Sequence, residues 1–211
     1  CFASVKAQTL SFDVSAKYAI SATGMFNKSI SDVGAAQDYD VAFSSNYGLA
    51  GTIHFGKIGL GLEYLMGNFK AGYQGEQAIL GGAYTSEVNL KTSQIPIYLR
   101  LGGSKGSFGE FGIVLNNVRS ESYTNSLIDP AQVPDVSNQY QNFMGYMVGV
   151  GSRFGILDLP LMVSVSARIM YSTADAKGVD ALGADLDLYS TKNKTNAASV
   201  GLNLGVVYTI K

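Results

Sequence analysis

The strongest constraint on this chain is an alternation of apolar with small or polar residues that recurs along most of its length. The clearest example is Leu10 to Ile20, where Leu10, Phe12, Val14, Ala16, Tyr18 and Ile20 share one parity. Ser11, Asp13, Ser15 and Lys17 share the other. Successive side chains point to opposite faces of a strand, so this spacing predicts a two-faced β-strand. A tilted strand crosses a bilayer in about 9–11 residues, which is the length of this stretch. No apolar run in the sequence approaches the ~18 residues of a membrane-spanning helix.

Eight strands are predicted in this way, near 9–21, 40–55, 58–67, 85–102, 107–118, 139–154, 159–172 and 196–210. In the second, Val41, Phe43, Tyr47, Leu49, Ile53 and Phe55 oppose Ala42, Ser44, Asn46, Gly48, Thr52 and His54. In the third, Ile58, Leu60, Leu62, Tyr64 and Met66 oppose Gly59, Gly61, Glu63 and Gly67. The phase of the fourth slips between Leu90 and Ile95, which predicts a bulge. The connections alternate in length. Gly56-Lys57, Gly102 to Gly106 and 155–158 are short, whereas 22–39, 68–84, 119–138 and 173–195 are long and polar. Membrane barrels with an even number of strands have this asymmetry, with short periplasmic turns and longer extracellular loops.

Alternation alone does not separate a membrane barrel from a soluble one; the second face does. A soluble barrel carries Lys and Glu outside and apolar residues inside. Here the non-apolar face is mostly Gly, Ser, Ala and Asn, with 25 glycines in 211 residues and only 15% charged residues. About 25% charged is usual for soluble domains. Small residues fit the inside of a narrow barrel, and the nearly uncharged apolar face fits lipid. The expected fold is therefore all-β, a closed antiparallel transmembrane barrel of about eight strands over residues 9–211. The net charge of −1 provides no basic footprint for nucleic acid.

With the strand directions that the turns impose, Phe12, Phe55, Phe111, Phe154 and Tyr208 fall near the turn ends. Tyr18, Tyr47, Tyr64, Tyr146 and Tyr171 fall toward the loop ends. Two such rings are the aromatic girdles expected at the two membrane interfaces. The expected location is a bacterial outer membrane with both termini periplasmic. Residues 1–8 are read as an export segment. Cys1, the only cysteine, is either the lipidated end of a processed lipoprotein or leftover signal peptide. Val5-Lys6-Ala7 before Gln8 fits a small-x-small cleavage site and favours the second reading.

Ser93-Gln94-Ile95-Pro96-Ile97-Tyr98-Leu99-Arg100, a Gly-rich turn and Phe108-Gly109-Glu110-Phe111-Gly112 together resemble a hairpin of PorT-like outer-membrane barrels of Bacteroidetes. The segment from Phe143 to Gly151 resembles the strand that follows it in that family. Gln94 stands where the family usually has Glu, and Ile113 where Pro is common. The resemblance implies an integral outer-membrane barrel and no single activity.

The inward charges are the candidate site. Arg100, Glu110 and Arg153 come from three successive strands near the turn end, so Glu110 is expected to bridge the two arginines. Asp13 and His54 lie at similar depth, and Lys17, Glu63 and Arg168 are expected to form a second layer. A structural plug is the preferred role. His54 is the only histidine and lies at the turn end, away from where a lipid-cleaving Ser-His-acid set would work, so no catalytic residue is assigned. Asp185-x-Asp187 suggests calcium but lacks the full loop spacing. No metal or cofactor is expected. Asn27-Lys28-Ser29 and Asn193-Lys194-Thr195 match the glycosylation sequon. The expected role is non-enzymatic: an accessory subunit of an outer-membrane assembly or a scaffold for surface loops. A small pore and a lipid-modifying enzyme are the alternatives. Expected partners are outer-membrane lipids, lipopolysaccharide and other outer-membrane proteins.

Overall fold

In the computed structural model, the residues described are 10–77, 81–103, 105–156 and 159–210. The export segment 1–8 and Cys1 lie outside them, as does part of the predicted 155–158 turn. The strands are β1 (Leu10–Asn27), β2 (Asp38–Asp40), β3 (Ala42–Phe55), β4 (Ile58–Gln77), β5 (Gly82–Leu101), β6 (Gly106–Asn125), β7 (Phe143–Gly155), β8 (Leu161–Ser172) and β9 (Thr195–Ile210).

Eight of these close into a ring of antiparallel neighbours. The sheet runs β4-β3-β1-β9-β8-β7-β6-β5, and β5 pairs back onto β4. Closure removes both sheet edges, as a wall facing lipid requires. The short strand β2 continues the line of β3 and pairs with β4, Asp38 opposite Gln74. At the tightest turn Gly56 has φ 64°, a left-handed conformation that a two-residue hairpin needs and that glycine adopts without strain. Its neighbours Phe55 and Ile58 close the β3–β4 ladder.

The bulge expected in the fourth strand is not there: β5 keeps Leu90, Thr92, Pro96 and Tyr98 on one inward parity, and its apparent slip is the apolar face passing from inside to outside. The irregularity at this level belongs to the neighbouring strand. Lys91 pairs with Ser120 and Thr92 with Val118, so Arg119 of β6 is the extra residue.

Three of the four long loops begin later or are shorter than predicted. The expected 68–84 loop is strand for most of its length, because β4 and β5 stay paired from Asn68–Lys91 to Gln77–Gly82. β6 runs to Asn125 and β1 to Asn27, rather than ending near 118 and 21. The physical reason is an inversion of the apolar face. On β4 the outward residues are apolar through Met66 and then become Asn68, Lys70, Gln74 and Glu76. The inward residues become Phe69, Ala71 and Tyr73, each at most 1% exposed. The inversion removes the outward apolar row by which the strand was read but leaves the hydrogen-bonded ladder intact.

Inside the loop-end half, Met25, Phe69, Tyr73, Tyr84, Leu90 and Tyr123 form one buried apolar cluster. The segments 126–142 and 173–194 lie over it and add Val136, Tyr140, Ala176, Val179, Ala181 and Leu186. A one-turn helix, α1 (Lys28–Ser31), contributes Ile30 from the first loop.

Candidate functional site

The turn-end half of the lumen holds all eight inward ionisable residues singled out in the sequence. Each is at least 92% buried: Asp13 and Lys17 on β1, His54 on β3, Glu63 on β4, Arg100 on β5, Glu110 on β6, Arg153 on β7 and Arg168 on β8. Such groups stay charged inside a wall only if they find one another.

Arg168 organises the larger network. Its Nη1 and Nη2 donate to the two oxygens of Glu63, both at 2.7 Å, and its Nε donates to Glu110 Oε2 at 2.7 Å. Arg100 Nε donates to the other oxygen, Glu110 Oε1, at 3.1 Å, and its Nη2 pairs with the same atom. Lys17 Nζ pairs with Glu63 Oε1. The network thus runs Lys17, Glu63, Arg168, Glu110, Arg100, with three cations on two carboxylates. Two aromatic faces offset the surplus positive charge. Tyr98 lies 5.1 Å from the Arg168 guanidinium and 5.4 Å from that of Arg100, and the Phe108 ring lies 4.3 Å from Arg100.

The expected Arg100–Glu110–Arg153 triad does not form. Arg153 pairs instead with Asp13 Oδ2, which also meets His54 Nε2 at 2.6 Å, while Asp13 Oδ1 accepts from Thr209 Oγ1 at 2.6 Å. Register decides this. Glu110 lies opposite Gly149, and Gly149 lies opposite Arg168; Arg153 is four residues further toward the turn, opposite Gly106. The two predicted layers are therefore regrouped into one chain of five charges and one cluster around Asp13.

Glycines make the room. Gly149 separates Glu110 from Arg168 across three adjacent strands, and a Cβ there would lie 2.9 Å from Arg168 Cγ and 3.3 Å from Glu110 Oε2. Tyr98 is flanked by Gly61 and Gly112 on its two neighbouring strands, and a Cβ at Gly61 would fall 2.3 Å from the Tyr98 ring. Lumen space for the large side chains comes from missing ones. Phe108 was not read as a lumen residue in the sequence, although it shares parity with Glu110.

Above the charges lies a cavity lined by residues including Ala19, Ser21, Asn46, Gln94, Met147 and Asn203. Its volume of about 50 Å³ holds a few waters, since one needs roughly 10–15 Å³ on that measure. Beyond it the apolar cluster and its cap close the loop end.

The cap is stitched by polar contacts that sequence reading missed. Asp180, 2% exposed, accepts from Leu182 N at 2.8 Å, Ala184 N at 2.9 Å and Gln37 Nε2 at 3.2 Å, and it pairs with the Tyr189 hydroxyl. The Tyr123 and Ser86 hydroxyls donate to Ala181 O at 2.9 and 2.6 Å. Glu121 accepts from Gln139 N at 3.0 Å, and partial burial raises its carboxyl above the usual range. Asp185 accepts from Asp187 N at 2.8 Å, and Asp187 pairs with Lys177 at 2.8 Å, where that ammonium holds its carboxyl low. Among the described residues no three His, Cys, Asp or Glu groups are placed to hold a metal ion. Asn27 is 2% exposed and caps α1 by accepting from Ser29 N at 2.8 Å, so its side chain serves the fold.

All ten girdle residues face outward. Phe12, Phe55, Phe111, Phe154 and Tyr208 lie toward the turns, and Tyr18, Tyr47, Tyr64, Tyr146 and Tyr171 toward the loops. Tyr18 lies directly opposite Tyr47, and Tyr146 opposite Tyr171.

No protein-family model matches the chain, and no curated protein matches it. Among solved structures it resembles the outer membrane protein OprG from Pseudomonas aeruginosa, with a TM-score of 0.53 at 12% identity over 96% of this chain and 97% of that one. Neisserial surface protein A gives 0.43 at 8% identity, over 92% of this chain and 96% of that one. Ail, the attachment invasion locus protein of Yersinia pestis, gives 0.41 at 10% identity, over 94% and 99%. The OprG likeness speaks for the fold: an antiparallel ring of eight strands of the kind found in outer-membrane barrels.

Proposed function

We propose that the chain is an integral barrel of a bacterial outer membrane that acts without catalysis, as a sealed scaffold for its loop-end cap or as an accessory subunit of a larger membrane assembly. The observation that carries this reading is the double closure of the lumen. An ion network fills one half and an apolar cluster with its cap fills the other. The uncharged outward band and its aromatic ends support burial of the wall in lipid. Short turns at one end and the ordered cap at the other support a periplasmic turn end and termini, with the cap outside. Kinship with PorT-like barrels rests on the β5–β6 hairpin sequence and the start of β7.

The alternatives have less support. A pore needs a wet path, and the 50 Å³ cavity lies between two filled segments. A lipid-modifying enzyme needs an accessible base, whereas His54 is 1% exposed and occupied by Asp13. The test begins with the full chain in planar bilayers, where no conductance steps above those of the bare membrane are expected. Purification from native membranes by a tag in the 126–142 loop then tests the accessory role, for which a stoichiometric membrane-protein partner is expected. Stable single-channel conductance would overturn the sealed scaffold. An acyl-transfer or lipase activity lost in His54→Ala would overturn the non-catalytic role.

A further inference from the structure

On β4, β5 and β6 the outward face changes from apolar to polar at one level, and cations stand at that change. The outward rows end with Met66 on β4, Ile95 on β5 and Leu115 on β6, and the next charged outward residues are Lys70, Lys91 and Arg119. Lys91 lies opposite Asn68 on one side and Ser120 on the other, beside the bulged Arg119, and diagonally from Lys70. The three side chains therefore share one patch of the outer wall, since neighbouring strands are about 4.8 Å apart. The patch is one-sided. On β8, β9 and β1 the outward positions in register at the loop end are Tyr171, Ala198 and Gly24, none of them charged.

Two of the three cations lack an anion. Lys70 is taken by Glu87 at 2.8 Å. Among the described residues, neither Lys91 nor Arg119 forms an ion pair, and both are exposed. Arg119 lies along the outer wall. It reaches across β5 toward the apolar band, where its Nη2 donates to the Tyr64 hydroxyl at 2.6 Å. Ser93, which faces outward between them on β5, is only 2% exposed. A guanidinium tethered at the edge of a hydrocarbon layer, with its remaining N–H groups directed at no carboxylate, calls for an anion supplied by the layer itself.

We propose that Arg119 and Lys91, with Tyr64 holding the guanidinium, form a binding site for the phosphate of an outer-leaflet phosphorylated glycolipid. Arg119 offers a planar fork that matches a phosphate, and Lys91 adds a point charge from the next strand. The acyl chains of the same lipid would lie on the outward row of Tyr64, Ile95, Ile97 and Ile113. The site rests on the membrane placement proposed above and identifies one lipid partner for that wall.

The test uses the full chain. Insertion into phosphatidylcholine vesicles is measured first, by heat-modifiable migration on gels; failure to insert would overturn the membrane placement and the site with it. Lipid A with two phosphates, dephosphorylated lipid A and inorganic phosphate are then titrated against the detergent-solubilised barrel by native mass spectrometry. The double variant Arg119→Gln/Lys91→Gln is expected to hold bisphosphorylated lipid A about 10- to 30-fold more weakly, from roughly one charge-worth of surface attraction per residue. Tyr64→Phe keeps every charge and loses only the tether, with an expected weakening of about threefold. Equal binding of phosphorylated and dephosphorylated lipid A, or unchanged affinity in both variants, would overturn the site while leaving the barrel in place. Competition by inorganic phosphate at the concentration at which lipid A binds would assign the patch to free phosphate and overturn the lipid proposal.

Discussion

The two halves of the barrel wall have the same alternation with opposite sign. In the turn-end half the outward row is Ile58, Leu60 and Leu62 on β4, and the lumen holds Glu63, Arg168 and Glu110. In the loop-end half the outward row is Gln74 and Glu76, and the lumen holds Phe69 and Tyr73. The ladder between β4 and β5 keeps one register through the change. On the membrane placement proposed above, the difference has one cause: polarity follows what lies outside the wall. Where lipid surrounds the strand, polar groups are driven inward and must satisfy each other; where water surrounds it, the hydrophobic effect packs the inside as in a soluble protein.

If that contrast is right, the halves should fail by different mechanisms. The largest effect is expected for Glu63→Ala, which strands the Lys17 ammonium and removes the bidentate partner of Arg168. Breaking a buried ion pair from one side costs about 3–5 kcal/mol, and urea unfolding of the barrel in detergent measures it. Glu110→Ala should behave alike, because Arg100 and Arg168 both lose it. A thermal midpoint unchanged by either substitution would break the idea that these charges depend on one another.

In the other half, Phe69→Ala should cost about 3 kcal/mol through a cavity in the apolar cluster. It should also raise hydrogen exchange across 126–142 and 173–194, which rest on that cluster, while exchange in the turn-end strands stays unchanged. Equal loosening of both halves would erase the distinction.

Gly149→Val sharpens the comparison. The added side chain would occupy the space through which Arg168 reaches Glu110, with an expected destabilisation of about 1–3 kcal/mol from overpacking. The same change at Gly155, where a Cβ meets nothing within 4 Å, should be close to neutral.

The smallest effect concerns pH. The Glu121 carboxyl is raised above its ordinary 4.5 by burial, so the folded cap binds its proton more tightly than the unfolded chain does. The cap should therefore lose a little stability as pH rises through the region just above 4.5, and Glu121→Gln should flatten that dependence. Amide exchange at Gln139 and Tyr140, whose N–H groups Glu121 accepts, reads the difference.

Much of the wall was legible from the chain alone because the period of two leaves no freedom: once one face is apolar, every second residue is assigned. The inward parity of Asp13, Lys17, Glu63, Arg100 and Arg168 follows directly from it. The slip before Ile95 marked a change in which face of β5 is apolar, not a bulge, because the strand keeps one parity while its surroundings change. Extensions such as Phe69 to Tyr73 were not legible as strand, because their apolar residues change parity and an outward-facing rule ends there. Asp180 read as one loop acid among several, since nothing local marks a carboxylate that will accept from Gln37 far along the chain.

The sequence by itself determined an eight-stranded, two-faced wall with charges inside, since alternation is a local property enforced residue by residue. Only the tertiary structure decided which charges meet. Pairing across a closed barrel depends on the register of each strand with the next, and those offsets accumulate around the ring. They bring Arg168 past Gly149 to Glu110 and carry Arg153 away to Asp13. The cap was decided in the same way, by loops distant in sequence settling over an apolar interior that exists only once the ring has closed.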